Sequence, residues 1–138
     1  MIAHSEWKGN GFFEGRSESG HTIDFDTGAE HAAGPGPMEV VLMGLCGCSS
    51  VDVVEILEKK RQGLTGLKVT ATASQAEKPP RVFTHIKLTF ELRGMLDRKA
   101  VEAAVALSAE KYCPIARMLS QAATIEYEIV YNDRETEL

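Results

Sequence analysis

A chain of 138 residues, 43% hydrophobic and 25% charged, can bury one core without disulfides or metals, and its composition argues against disorder or a repeat array. The net charge of -5, with no offsetting lysine or arginine cluster, argues against a nucleic-acid partner. Met1–Asn10 has no apolar h-region, the uncharged apolar run 40–51 is too short to cross a membrane core of about 30 Å, and three cysteines make no secreted disulfide framework. The expectation is one cytoplasmic domain over residues 1–138, with no membrane partner and with its thiols reduced at rest.

Three short segments, Ile2 to Lys8, Gly11 to Ser19 and His21 to Asp26, are separated by Gly-Asn-Gly and Ser-Gly and read as an antiparallel ribbon. Gly34-Pro35-Gly36-Pro37 lacks the spacing and the Lys-Ser/Thr of a phosphate loop, and Pro37 suits the first turn of a helix. From Pro37 to about Gln62 apolar residues point in nearly every direction, the pattern of a helix buried on most sides, and Gly63 and Gly66 stop it. Leu67 to Ala73 and Val82 to Arg93 alternate with period two and form a second antiparallel pair. In the latter, Val82, Thr84, Ile86, Leu88 and Phe90 share one face, while Phe83, His85, Lys87 and Thr89 share the other. Asp97 caps a helix to about Tyr112, with Val101, Val105 and Tyr112 near one side. A break at Cys113-Pro114 starts a short helix, Ile115 to Ala123, before a strand to Tyr131 and a polar tail, Asn132 to Leu138. Strands, long helix, strands, two helices and a strand indicate an α+β fold with segregated elements.

The chemistry concentrates on the cysteines. Inside the long helix Cys46 and Cys48 lie roughly 160° apart about the axis, so they cannot serve one site together. Cys-x-Cys in a helix lacks the usual structural-zinc spacing, and no metal is expected. Cys48 shares its face with Gly44, Leu45, Asp52 and Glu55, and Gly44 could leave room for another chain segment. Cys113, directly before Pro114, stands where an N-cap would, so local physics makes it the more acidic thiol, with Arg117 one turn on. Cys46 reads as packing material. His85 alternates with Lys87, as a solvated strand position would.

Two motifs carry a resemblance. "GPMEVVLMGLCGCSSVDVVEIL" (Gly36 to Leu57) resembles the central helix of the OsmC/Ohr proteins, with Cys48 at their first functional cysteine, and "SAEKYCPIARML" (Ser108 to Leu119) resembles their second, with Cys113. "PRVFTHIKLTFELRG" (Pro80 to Gly94) resembles the intervening sheet segment, and the form of the helix is similar to the YhfA-type branch. The resemblance implies two antiparallel β-sheets flanking long central helices in an intertwined homodimer. It also implies an oxidative-stress role as a two-cysteine peroxidase. In that scheme Cys48 attacks an organic hydroperoxide, Cys113 resolves the sulfenic acid to a disulfide, and a lipoyl or thioredoxin-like dithiol reduces it. No metal or bound cofactor is implied.

In the family's peroxidases an acid directly after the helix-opening proline pairs with an arginine of the N-terminal ribbon. Here Met38 follows Pro37, leaving Glu39 and Arg16 as the candidate pair and Arg117 as a further supporting cation. Glu39 precedes Cys48 by nine residues, about 180° around a regular helix, and so should not line its pocket. Val41, Leu45 and Val51 would offer aliphatic walls to the substrate. The alternative is a small-molecule-binding or redox-sensing protein of the same fold without efficient turnover.

Overall fold

The computed structural model describes residues 1–132, so the expected tail lies outside the described residues beyond Asn132. The elements run β1 (Ala3–Gly9), β2 (Phe12–Ser17), β3 (Thr22–Asp26), α1 (Pro37–Lys59), β4 (Gly63–Gln75), β5 (Phe83–Met95), α2 (Arg98–Leu107), a π-helical turn (Ser108–Tyr112), α3 (Pro114–Leu119) and β6 (Thr124–Tyr131). This is an α+β fold with two three-stranded sheets. The chain forms two compact units, Met1–Leu42 and Met43–Leu138.

In the first unit β1, β2 and β3 make the expected antiparallel ribbon. Gly9 and Asn10 both take positive φ in the tight turn, and Trp7 Nε1 donates to the Asn10 carbonyl at 2.9 Å. The loop after β3 is organised by Asp26, whose buried carboxylate accepts the Gly28 N–H at 2.9 Å and the Ala33 N–H at 3.0 Å. The Ala33 bond first, and then that from Gly28, holds its pKa below the ordinary carboxylate value. The helix entry is as the sequence predicts. Glu39 Oε1 accepts the Gly36 N–H at 2.9 Å, the return half of a capping box, while Pro37 occupies the first turn.

The second unit holds the apolar core. Along α1 only Leu45, Ser49, Val53 and Leu57 are buried, one stripe at spacing four, whereas Met38, Val41, Met43 and Val51 are exposed. The expectation of a helix buried on most sides is therefore corrected: those four apolar positions are open, and Val40, Leu42, Val54 and Ile56 are only half-buried. Its C-terminus also differs from expectation. Arg61, at φ 55°, takes the left-handed position, and the Gln62 N–H donates to the Leu57 carbonyl at 2.9 Å, a Schellman closure made without glycine. Gly63 already belongs to β4. Measured by length and by a mean hydropathy of 1.9 over 18 residues, α1 could cross a bilayer, but Asp52 and Glu55 interrupt it and its buried stripe is that of a core helix.

The second sheet has the order β4-β5-β6, and it is mixed rather than antiparallel. β4 and β5 are antiparallel, but β6 runs parallel to β5, because α2, the π turn and α3 together form a crossover long enough to return the chain to the same end. A bulge at Thr84, where Gln75 pairs with Phe83 and Ser74 with His85, swaps two expected orientations. Phe83 is buried with Ile86, Leu88, Phe90 and Leu92, and Val82 is exposed. Asp97 caps α2 as expected, its carboxylate accepting the Lys99 N–H. Val101 and Val105 are buried, but the π turn widens the helix and leaves Tyr112 48% exposed, with Lys111 Nζ 5.3 Å from its ring centroid.

Candidate functional site

Helix geometry separates the two neighbouring thiols as the sequence predicts. Cys46 turns toward β4, where the Ala71 backbone N–H bonds its sulfur, and burial raises its pKa. Cys48 turns the other way. Its Sγ, an Asp52 carboxylate oxygen and Cys113 Sγ all lie within 4.8 Å of one another. Cys48 and Asp52 share a face of α1 four residues apart, while Cys113 directly follows the π turn, which is closed by its N–H donating to the Ser108 carbonyl at 2.9 Å. Gly44 faces this segment, but a Cβ there would make only an ordinary contact with Ile115 Cδ1 at 3.5 Å, so the approach does not depend on the glycine.

Each acidic group is held by a donor. Cys113 is the N-cap of α3, its Sγ accepting the Ala116 N–H at 3.3 Å and the Ser49 hydroxyl at 3.7 Å. The Ser108 hydroxyl donates to Asp52 Oδ2 at 2.9 Å. The Ile115 N–H bonds Cys48, but it is outweighed. Burial first, then a hydrogen bond shared with Cys113, then the charges of Cys113 and Asp52, push the Cys48 thiol up to about 11. Cys113 is buried, and Tyr127 has its phenol pKa raised by burial and by the Cys113 charge. Asp52 also lines a groove of about 340 Å³ whose other walls include Glu55, Ile56, Lys59, Leu107 and Tyr112.

Each of the other candidates has its place within its own unit. Arg16 is exposed on β2, paired across the ribbon with His4 and Thr22. Glu39 caps the start of α1 and lies 3.8 Å from His31 Nε2. Arg117 is exposed on α3, and the charged groups that act on Cys48 are both acidic. His85 is in the solvated position expected, 3.2 Å from Glu126. Leu45 is wholly enclosed in the core and forms no wall of an open pocket, whereas Val41 and Val51 are exposed.

Two members of the site escaped the sequence. Ser49 stood out only as a polar residue on the buried stripe, and Ser108 only as the residue five before Cys113, a spacing meaningful once the turn is π. Cys48, Asp52 and Cys113 are also the described residues whose ligand atoms could converge on a metal ion.

Known proteins resemble the chain in sequence and in fold. The family model described as OsmC-like protein matches residues 28–128. Protein YhfA of Escherichia coli K12 is 47% identical over 133 residues, covering 94% of this chain and 98% of its own. A structural-genomics structure superposes with a TM-score of 0.85 at 44% identity, covering 96% of this chain and 100% of its own. The organic hydroperoxide resistance protein OsmC of Legionella pneumophila, at 18% identity, shares the fold with a TM-score of 0.74 over 94% of this chain and 95% of its own. The chain belongs to the OsmC-like protein family.

Proposed function

We propose that this chain is a thiol-dependent peroxidase that reduces organic hydroperoxides through Cys48 and Cys113. The observation that carries the reading is the approach of the two sulfurs to within 4.8 Å, which side-chain movement of less than about 3 Å closes to disulfide length. Ionised Cys48 attacks the terminal peroxide oxygen, the O–O bond breaks, the alcohol leaves with a proton, and a sulfenic acid remains. The Cys113 sulfur then attacks that sulfenic sulfur and water is lost. A dithiol, on a lipoyl or thioredoxin-like protein, reduces the disulfide by exchange. The Cys113 sulfur is held in place for this step by the Ala116 N–H and the Ser49 hydroxyl, both of which donate to it.

The working unit in this proposal is a cytoplasmic homodimer, one OsmC-like domain per chain. Exposed Met43 and Val51 on α1, and exposed Trp7 and Ile23 on the ribbon, are apolar surface that a second copy would cover. The test is consumption of cumene hydroperoxide with a dithiol reductant. Cys48→Ser should abolish it and Cys46→Ser should retain it; a Cys48→Ser variant as active as the wild type would sink the proposal.

A second reading rests on Cys48 alone. A thiol pushed up to about 11 is a sparse thiolate at neutral pH, which suits a slow redox sensor better than a fast catalyst. One equivalent of hydroperoxide consumed per chain, without turnover in the presence of dithiol, selects the sensor.

A further inference from the structure

We propose that Cys48, Asp52 and Cys113 together form a site for a thiophilic divalent cation, zinc above all, with a fourth position left open to solvent. The geometry supplies three convergent ligands, two sulfurs and a carboxylate oxygen, all within 4.8 Å of one another. In a tetrahedral site with Zn–S near 2.3 Å and Zn–O near 2.1 Å, ligand atoms stand roughly 3.5–3.8 Å apart. The three therefore need to draw together by only about 1 Å. Cys48 and Asp52 are four residues apart on one helix, the spacing that presents two side chains to one ion.

The outer contacts fit as well. A metal site is held by hydrogen bonds that orient its ligands and spread their charge. Here the Ala116 N–H and the Ser49 hydroxyl reach Cys113, the Ser108 hydroxyl reaches Asp52, and the Ile115 N–H reaches Cys48. Two thiolates and a carboxylate bring three negative charges to one point, and a divalent cation supplies the opposite charge that the acidic neighbours of Cys48 do not. Cys113 closes the buried side, while Cys48 and Asp52 remain partly open. Cys46, turned to Ala71, takes no part.

Coordination occupies both sulfurs, so zinc would hold the pair away from peroxide and act as an inhibitor. That consequence rests on the proposed peroxidase reading; the site itself does not.

The experiment titrates zinc into the fully reduced protein against a chromophoric chelator. One equivalent should bind per chain, and Cys48→Ser and Asp52→Asn should each weaken binding at least about tenfold. Cys46→Ser should bind as the wild type does. On the unmutated protein, zinc should protect Cys48 and Cys113, and leave Cys46 unchanged, when iodoacetamide adducts are mapped by mass spectrometry. Absence of protection, or an Asp52→Asn variant that binds as tightly as the wild type, overturns the site. Neither readout uses a hydroperoxide, so failure of zinc to bind leaves the peroxidase reading standing, and failure to consume cumene hydroperoxide leaves the zinc site standing.

Discussion

Replacing Cys113 by alanine should make Cys48 a more reactive thiol. The neighbour raises the Cys48 pKa twice, through a hydrogen bond to the protonated form and through its own charge, and both effects vanish in Cys113→Ala. The full rise, from 9.0 to about 11, leaves about one thiolate in 10⁴ at pH 7. Abolishing all of it would raise that fraction about 100-fold. Intrinsic nucleophilicity falls as pKa falls, with a Brønsted slope near 0.4–0.5, so the net gain in rate would be about tenfold. Burial, the largest cause, survives the substitution, and the expected gain in Cys48 alkylation at pH 8 is therefore about threefold, inside that ceiling. The assay is iodoacetamide modification followed peptide by peptide across pH, so that Cys46 is scored apart from Cys48. The midpoint of the rate profile should move to lower pH in the variant. An unchanged or higher midpoint would show that Cys113 does not set the acidity of Cys48.

Two further outcomes concern stability. Asp26 has a depressed native pKa, so its contribution is present above its unfolded value near 3.8 and is lost as pH falls through the lower native value. Asp26→Asn should lower the melting temperature at pH 7, with the gap to wild type narrowing below pH 3.8 in a pH series of thermal melts. Leu57, wholly enclosed at the end of the α1 stripe, should cost about 2–5 kcal/mol on truncation to alanine, read as a fall in the urea midpoint at unchanged slope.

Local patterns made most of the elements legible. Period-two alternation marked β4 and β5, the proline-glycine loop marked the start of α1, and Asp97 marked α2, because each depends on neighbours within a few residues. The direction of β6 was not legible, since nothing in its residues distinguishes a parallel from an antiparallel partner; the crossover decides it. The exchange of Phe83 for Val82 in the core depends on one extra residue at Thr84 and is equally silent in the alternation. At the site, helix phase alone separated Cys46 from Cys48 and set Asp52 beside the latter. The two serine donors, Ser49 and Ser108, needed the tertiary fold, because the bonds they make span 64 and 56 residues.

The π turn over Ser108–Tyr112 acts as a phase spacer. It amounts to one residue more than a regular helix would hold, and each residue of an α-helix turns the chain by about 100°. Delete one residue between Ser108 and Cys113, let the turn relax to α, and the following sulfur leaves α1 on a different heading, although every motif letter around "YCPIARML" survives. Length in this short segment, as much as the presence of the cysteine, decides whether the second thiol meets the first.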